Sequence, residues 1–136
     1  MHTTNYFNAF IEIAEDSPID FGQEPPLKGS KKSVANLQFE MVKDNPYRYT
    51  SDEVLFGVFA QRKDFTEAEM EAQRAQYFSK GQPCFRASPL SKRYGWGVHS
   101  DAEGRVAIFG ADTEEYRRLA ADPELKHYRA MRSKRK

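Results

Sequence analysis

The sequence predicts an α+β fold: a small antiparallel sheet, made of an N-terminal strand and a C-terminal hairpin or meander, packed with four or five helices. Three observations carry this prediction. Residues 5–14 alternate with a period of two and include β-branched side chains, and residues 94–109 read as two strands around a turn that ends in Gly104. Between them, Thr50 with Glu53 and Thr66 with Glu69 twice repeat the spacing that opens helices. Helices segregated from an antiparallel sheet define the α+β class.

In chain order, Phe10, Glu12 and Ala14 alternate with Ile11 and Ile13, which predicts the first strand. Asp16 to Ser33 holds Pro18, Gly22, Pro25, Pro26 and Gly29, too many breakers for a regular element, so a long surface loop is expected. Ser33 caps a helix running to Asp44, with Val34, Leu37 and Met41 on its apolar side and Asn45-Pro46 as its stop. Thr50 opens the next helix, with Val54, Leu55, Val58 and Phe59 at helical intervals. A third helix is predicted over Glu67–Ser79, with Gly81 as a left-handed C-terminal stop.

Cys84-Phe85-Arg86 then reads as a short strand, and Tyr94–His99 and Arg105–Phe109 as the hairpin around Asp101-Ala102-Glu103-Gly104. Thr113 caps a helix containing Tyr116 and Leu119 that stops near Asp122-Pro123. The tail from Glu124 is expected as a short, fraying helix.

With 136 residues and no internal repeat, the chain is expected to form one domain over 1–136, and ten Phe and seven Tyr supply the apolar area for a core. The net charge of +1 conceals an asymmetry. Residues 126–136 hold six of the 21 Lys and Arg and none of the 20 Asp and Glu, so a basic tail of +6 follows a body carrying fifteen cations against twenty anions. Such a tail either docks on its own acidic body or associates with nucleic acid. No apolar run reaches the length of a membrane span and MHTTNYFNAF lacks a leader's basic and apolar regions, so a cytoplasmic location and no membrane partner are expected. A single Cys forms no internal disulfide, in keeping with a reducing compartment.

The blocks ANLQFEM (35–41), NPYRYTSDEVLF (45–56), FSKGQPC (78–84), SPLSKRYGWGVHSDAEG (88–104) and MRSKRK (131–136) span nearly the whole chain. In them the chain resembles an uncharacterised bacterial family of small single-domain proteins, a resemblance that implies one domain and no particular activity. Gly81-Gln82-Pro83-Cys84-Phe85 is also similar to the turn into a meander of small α+β domains described as frataxin-like iron chaperones. Iron binding does not carry over, because the acidic residues are scattered.

Several groups have the chemistry of a binding site. Lys31, Lys32 and Ser33 enter a predicted helix after a flexible loop, where backbone N–H groups, the helix dipole and two ammonium groups suit a phosphate or carboxylate. The P-loop spacing is absent, since Ser30 rather than a Lys follows Gly29. Arg93, Tyr94, Trp96 and His99 interleave basic and flat groups that suit a planar or anionic ligand. Against this stands an ordinary capped helix start and a core position for Tyr94 and Trp96, flanked by Gly95 and Gly97 where the backbone packs closely.

Cys84 and His99, with Asp101 to orient the imidazole, have the residue types of a nucleophile and base, so a small hydrolase or transferase is the alternative to a non-enzymatic binding domain for a small anionic ligand. Activation requires contact within hydrogen-bond reach, and an inert buried thiol is the plainer expectation. His2, His99, His127 and Cys84 show no metal-ligand spacing, and no cofactor motif is present, so neither metal nor cofactor is expected. The third reading is nucleic-acid association through the tail, where Lys126, Arg129 and Arg132 share a helical i, i+3 spacing.

Overall fold

In the computed structural model, which describes residues 1–134, the N-terminal alternation forms β1 over Ala9–Glu12. The hairpin supplies β2 (Trp96–Ser100) and β3 (Val106–Gly110), and a fourth strand, β4, runs over Lys126–Arg129. The order is β3-β2-β1-β4, with β1 antiparallel to β2 and parallel to β4, so the sheet is mixed where an antiparallel one was expected.

The difference comes from the tail. Residues 126–129 form an edge strand, not a fraying helix, because β1 leaves one edge unpaired after β2 takes the other. Lys126 N–H donates to Asn8 O and Ala130 N–H to Glu12 O, both at 2.9 Å. The i, i+3 spacing of Lys126, Arg129 and Arg132 therefore marks no helical stripe. Four residues with exposed cations are typical of an edge strand that does not recruit further strands. Of the predicted tail over 126–136, Arg135 and Lys136 lie outside the described residues.

Register decides what each sheet face meets. Ile11, Val98 and Ile108 align across the strands on one face, and Phe10, His99 and Ala107 on the other, with His127 beside Phe10. The first face carries the main core, where Ile11, Val98, Val106 and Ile108 join Trp96, Val42, Val54, Phe85 and Leu90. The helices α1 (Val34–Lys43), α2 (Ser51–Lys63) and α4 (Pro89–Lys92) supply the residues opposite the strands. The second face is covered by α5 (Glu114–Ala120), whose Tyr116 ring packs edge-on against Phe10 at 5.0 Å and whose hydroxyl accepts from Ile13 N–H at 3.0 Å. Gly97 makes room for it: a Cβ there would lie 2.6 Å from both Phe10 and Tyr116.

Capping boxes form at Ser33, Thr50 and Thr66, which is why α1, α2 and α3 (Glu67–Tyr77) start where the sequence places them. α3 buries none of its residues, and the α2–α3 pair rests on a smaller cluster of Phe56, Ala60 and Phe78. Its stop differs from expectation, since Phe78 is the C-cap and Gly81 is not left-handed. Residues Phe85–Ala87 form one 3-10 turn instead of a strand. Phe85 is drawn into the core there, and Ser88 accepts from Leu90 N–H and donates to Gln38 Oε1, opening the short α4 that the sequence reading did not resolve. Among the described residues no helix is long and apolar enough to cross a membrane.

Candidate functional site

The start of α1 and the end of α4 face one another across a cavity of about 350 Å³. At α1, Ser33 Oγ accepts from Asn36 N–H at 3.2 Å, and Asn36 Oδ1 accepts from Ser33 N–H at 2.9 Å. Asn36 also donates to Pro25 O at 2.9 Å, which ties the long loop to the cap. This cap is spent on the third helical residue. Val34 and Ala35, the first two, keep N–H groups for which a helix has no internal acceptor.

Across the cavity, Ser88-Pro89 fixes the start of α4 and Arg93 is its C-cap, donating its N–H to Pro89 O at 2.8 Å. That turn places Lys92, Arg93 and Tyr94 on the wall opposite Ser33, Val34 and Ala35. Among the described residues no carboxylate lines the cavity, so two cations and the positive end of a ten-residue helix share it. The arrangement suits a phosphate or carboxylate carried on a small body.

Three of the predicted ligand residues, Ser33, Arg93 and Tyr94, are therefore brought together, and Lys92 joins them. Lys31 and Lys32 lie exposed in the adjoining loop, where Lys32 Nζ pairs with Glu40 at 2.9 Å. Trp96 is 8% exposed and belongs to the core: its indole N–H donates to Gln23 O at 2.8 Å and its ring sits 5.4 Å from Phe39. Strand alternation sends His99 to the other sheet face, where its Nδ1 lies 2.7 Å from Tyr47 Oη. Burial pushes the imidazole below its ordinary value of 6.5, and Asp101 and Asp122 oppose that shift.

Cys84 is half-buried with its Sγ 3.3 Å from Tyr6 Oη, and burial together with the thiol pushes that phenol up to about 12. Among the described residues no hydrogen bond joins Cys84 to His99. Nor does any group of three His, Cys, Asp or Glu among them stand close enough to hold a metal ion. A larger and more apolar cavity of about 470 Å³ lies between Tyr47, Phe109 and Leu119, away from the predicted basic residues. Its rim of Glu115, Arg118 and Asp122 mixes both signs of charge, so the smaller basic cleft has the clearer chemical preference.

The C-terminal segment is docked beside this region. The Asp16 carboxylate accepts from Ser133 N–H at 2.9 Å and Lys134 N–H at 3.0 Å, bonds that hold its pKa below the ordinary value, and Arg132 lies 3.3 Å from Glu15. The sequence sets Lys92 beside Arg93, whereas Arg132 and Lys134, read there only as part of the basic tail, are brought to Arg93 by the fold. The adjacency of Lys92-Arg93 just after Ser88-Pro89 was the signal available for Lys92.

The chain matches a family model described as "Family of unknown function (DUF6157)" over residues 1–136. The chain belongs to that family. No curated protein and no solved structure matches it.

Proposed function

We propose that this member of a family of unknown function is a cytosolic, non-enzymatic binding domain whose ligand presents a phosphate or carboxylate to the cleft between α1 and α4. One observation carries the reading: Val34 and Ala35 at the start of α1 line the same cavity of about 350 Å³ as the cationic residues Lys92 and Arg93, and no carboxylate of the described residues lines it. The volume lies within the range of small-molecule sites, and Tyr94, half-buried against the main core, adds an aromatic residue to its lining.

The test is an amide NMR titration with inorganic tripolyphosphate and with citrate. Saturable shifts centred on Val34 and Ala35, lost in Arg93→Gln, are expected. Shifts that do not saturate, or that persist undiminished in Arg93→Gln, would remove the proposal.

A further inference from the structure

Arg93 stands at the junction of two cavities. One is the cleft described above; the other, about 500 Å³, is walled by Asp16, Arg93, Arg132 and Lys134. The docking of residues 133 and 134 on Asp16 thus continues the basic wall of the cleft, giving a run of Lys92, Arg93, Arg132 and Lys134 drawn from two parts of the chain forty residues apart.

Among the described residues two carboxylates, Asp16 and Glu15, face this run, and both are already engaged. Asp16 is held by backbone N–H groups, and Glu15 pairs with Arg132. That pair is solvent-exposed, with 36% and 61% of the two side chains accessible, so a phosphate competes with it readily. Among the described residues Lys92, Arg93 and Lys134 form no ion pair. Tyr94, half-buried against the main core, adds an aromatic residue at one end.

We infer that the cleft and the docked C-terminal segment form one continuous groove for single-stranded nucleic acid, an inference that rests on the anion-binding reading of the cleft. Successive phosphates follow the four cations and a base stacks on Tyr94, the combination by which single strands are held without sequence readout. A single strand fits better than a duplex because the cations line concave cavities rather than a convex face. The tail acts here as a fixed wall and not as a free basic arm.

The experiment uses the full chain and a fluorescein-labelled oligothymidylate of about 12 nucleotides, followed by anisotropy, with a duplex of equal length and inorganic tripolyphosphate in parallel. Four phosphate contacts predict a salt slope of about −2.8, so Kd rises about 50-fold between about 50 and about 200 mM salt. In the double variant R132Q/K134Q two contacts remain, and the same rise falls to about sevenfold. Tripolyphosphate affinity is expected to survive that double variant and to be lost in Arg93→Gln.

An oligonucleotide slope unchanged in R132Q/K134Q, or a duplex bound as tightly as the single strand, would overturn the groove. Tripolyphosphate binding without oligonucleotide binding would also overturn it while leaving the anion cleft standing. Binding of neither would end both. Truncation after residue 125 is avoided because it removes β4 and with it one edge of the sheet.

Discussion

Trp96 donates its indole N–H to the carbonyl of Gln23 across 2.8 Å and 73 residues of chain. The bond fastens the long loop over Asp16–Ser33 to the start of β2, and Gln23 N–H returns to Tyr94 O at 2.9 Å. Trp96 thereby serves as an anchor under the loop rather than as a ligand platform.

An anchor of this kind has a spectroscopic signature. Trp96 is the only Trp, and at 8% exposure its emission is expected to be blue-shifted relative to free indole. Trp96→Phe loses the hydrogen bond and part of the buried area, at a cost of about 2 kcal/mol by urea unfolding. Limited proteolysis should then cut first within residues 16–33. An emission maximum typical of exposed indole would contradict the burial.

Gly95 and Gly29 form a natural pair for separating two costs. Both have positive φ, +77 and +72, but a Cβ on Gly95 would lie 1.9 Å from Phe21 O whereas one on Gly29 meets nothing within 4 Å. Gly29→Ala is expected to cost about 1 kcal/mol, the conformational penalty alone. Gly95→Ala adds a backbone collision and should exceed about 3 kcal/mol or displace the loop outright. Equal costs for the two variants, measured by urea denaturation, would show that the loop does not cross Gly95 as closely as described.

Asp52, at the start of α2, holds the N-terminus. It accepts from Thr3 Oγ1 at 2.6 Å and from Thr4 N–H and Oγ1 at 2.7 Å each, while Thr4 is 4% exposed. Asp52→Ala leaves buried Thr4 donors without that acceptor, and a loss of about 3 kcal/mol is expected. Hydrogen exchange should show residues 3–5 losing protection before the sheet does.

His99 makes stability depend on pH in one direction. Burial holds its folded pKa below the ordinary 6.5, so below pH 6.5 the unfolded chain binds the proton more readily than the fold does. Stability is thus full above pH 6.5 and declines as pH falls toward the folded pKa. Urea midpoints measured between about pH 7.5 and about pH 5 should drop in the parent and drop less in His99→Gln. An equal drop in both would assign the effect elsewhere.

Helix starts were legible in the sequence because they are local. Ser33, Thr50, Thr66 and Thr113 each sit at the N-cap predicted for them, and the turn at Asp101–Gly104 closes with Gly104 at φ +80. A cap or a turn is satisfied within four residues of chain, so its signature is written in those residues. The same locality misled at the C-terminus. Lys126, Arg129 and Arg132 have helical spacing, yet the unpaired edge of β1, more than a hundred residues earlier, decides that 126–129 are a strand.

The candidate site divides along the same line. Lys31, Lys32 and Ser33 are consecutive, and the sequence alone determined that a basic loop meets a capped helix start there, just as it determined the α+β class. Only the tertiary structure decided that Arg93 and Tyr94 close on that start while Trp96 turns into the core and His99 crosses to the other sheet face. The reason is that strand register assigns alternate side chains to opposite faces, and register is set by pairing with distant strands. Composition and spacing supply the groups; which of them meet is fixed by contacts between residues far apart in the chain.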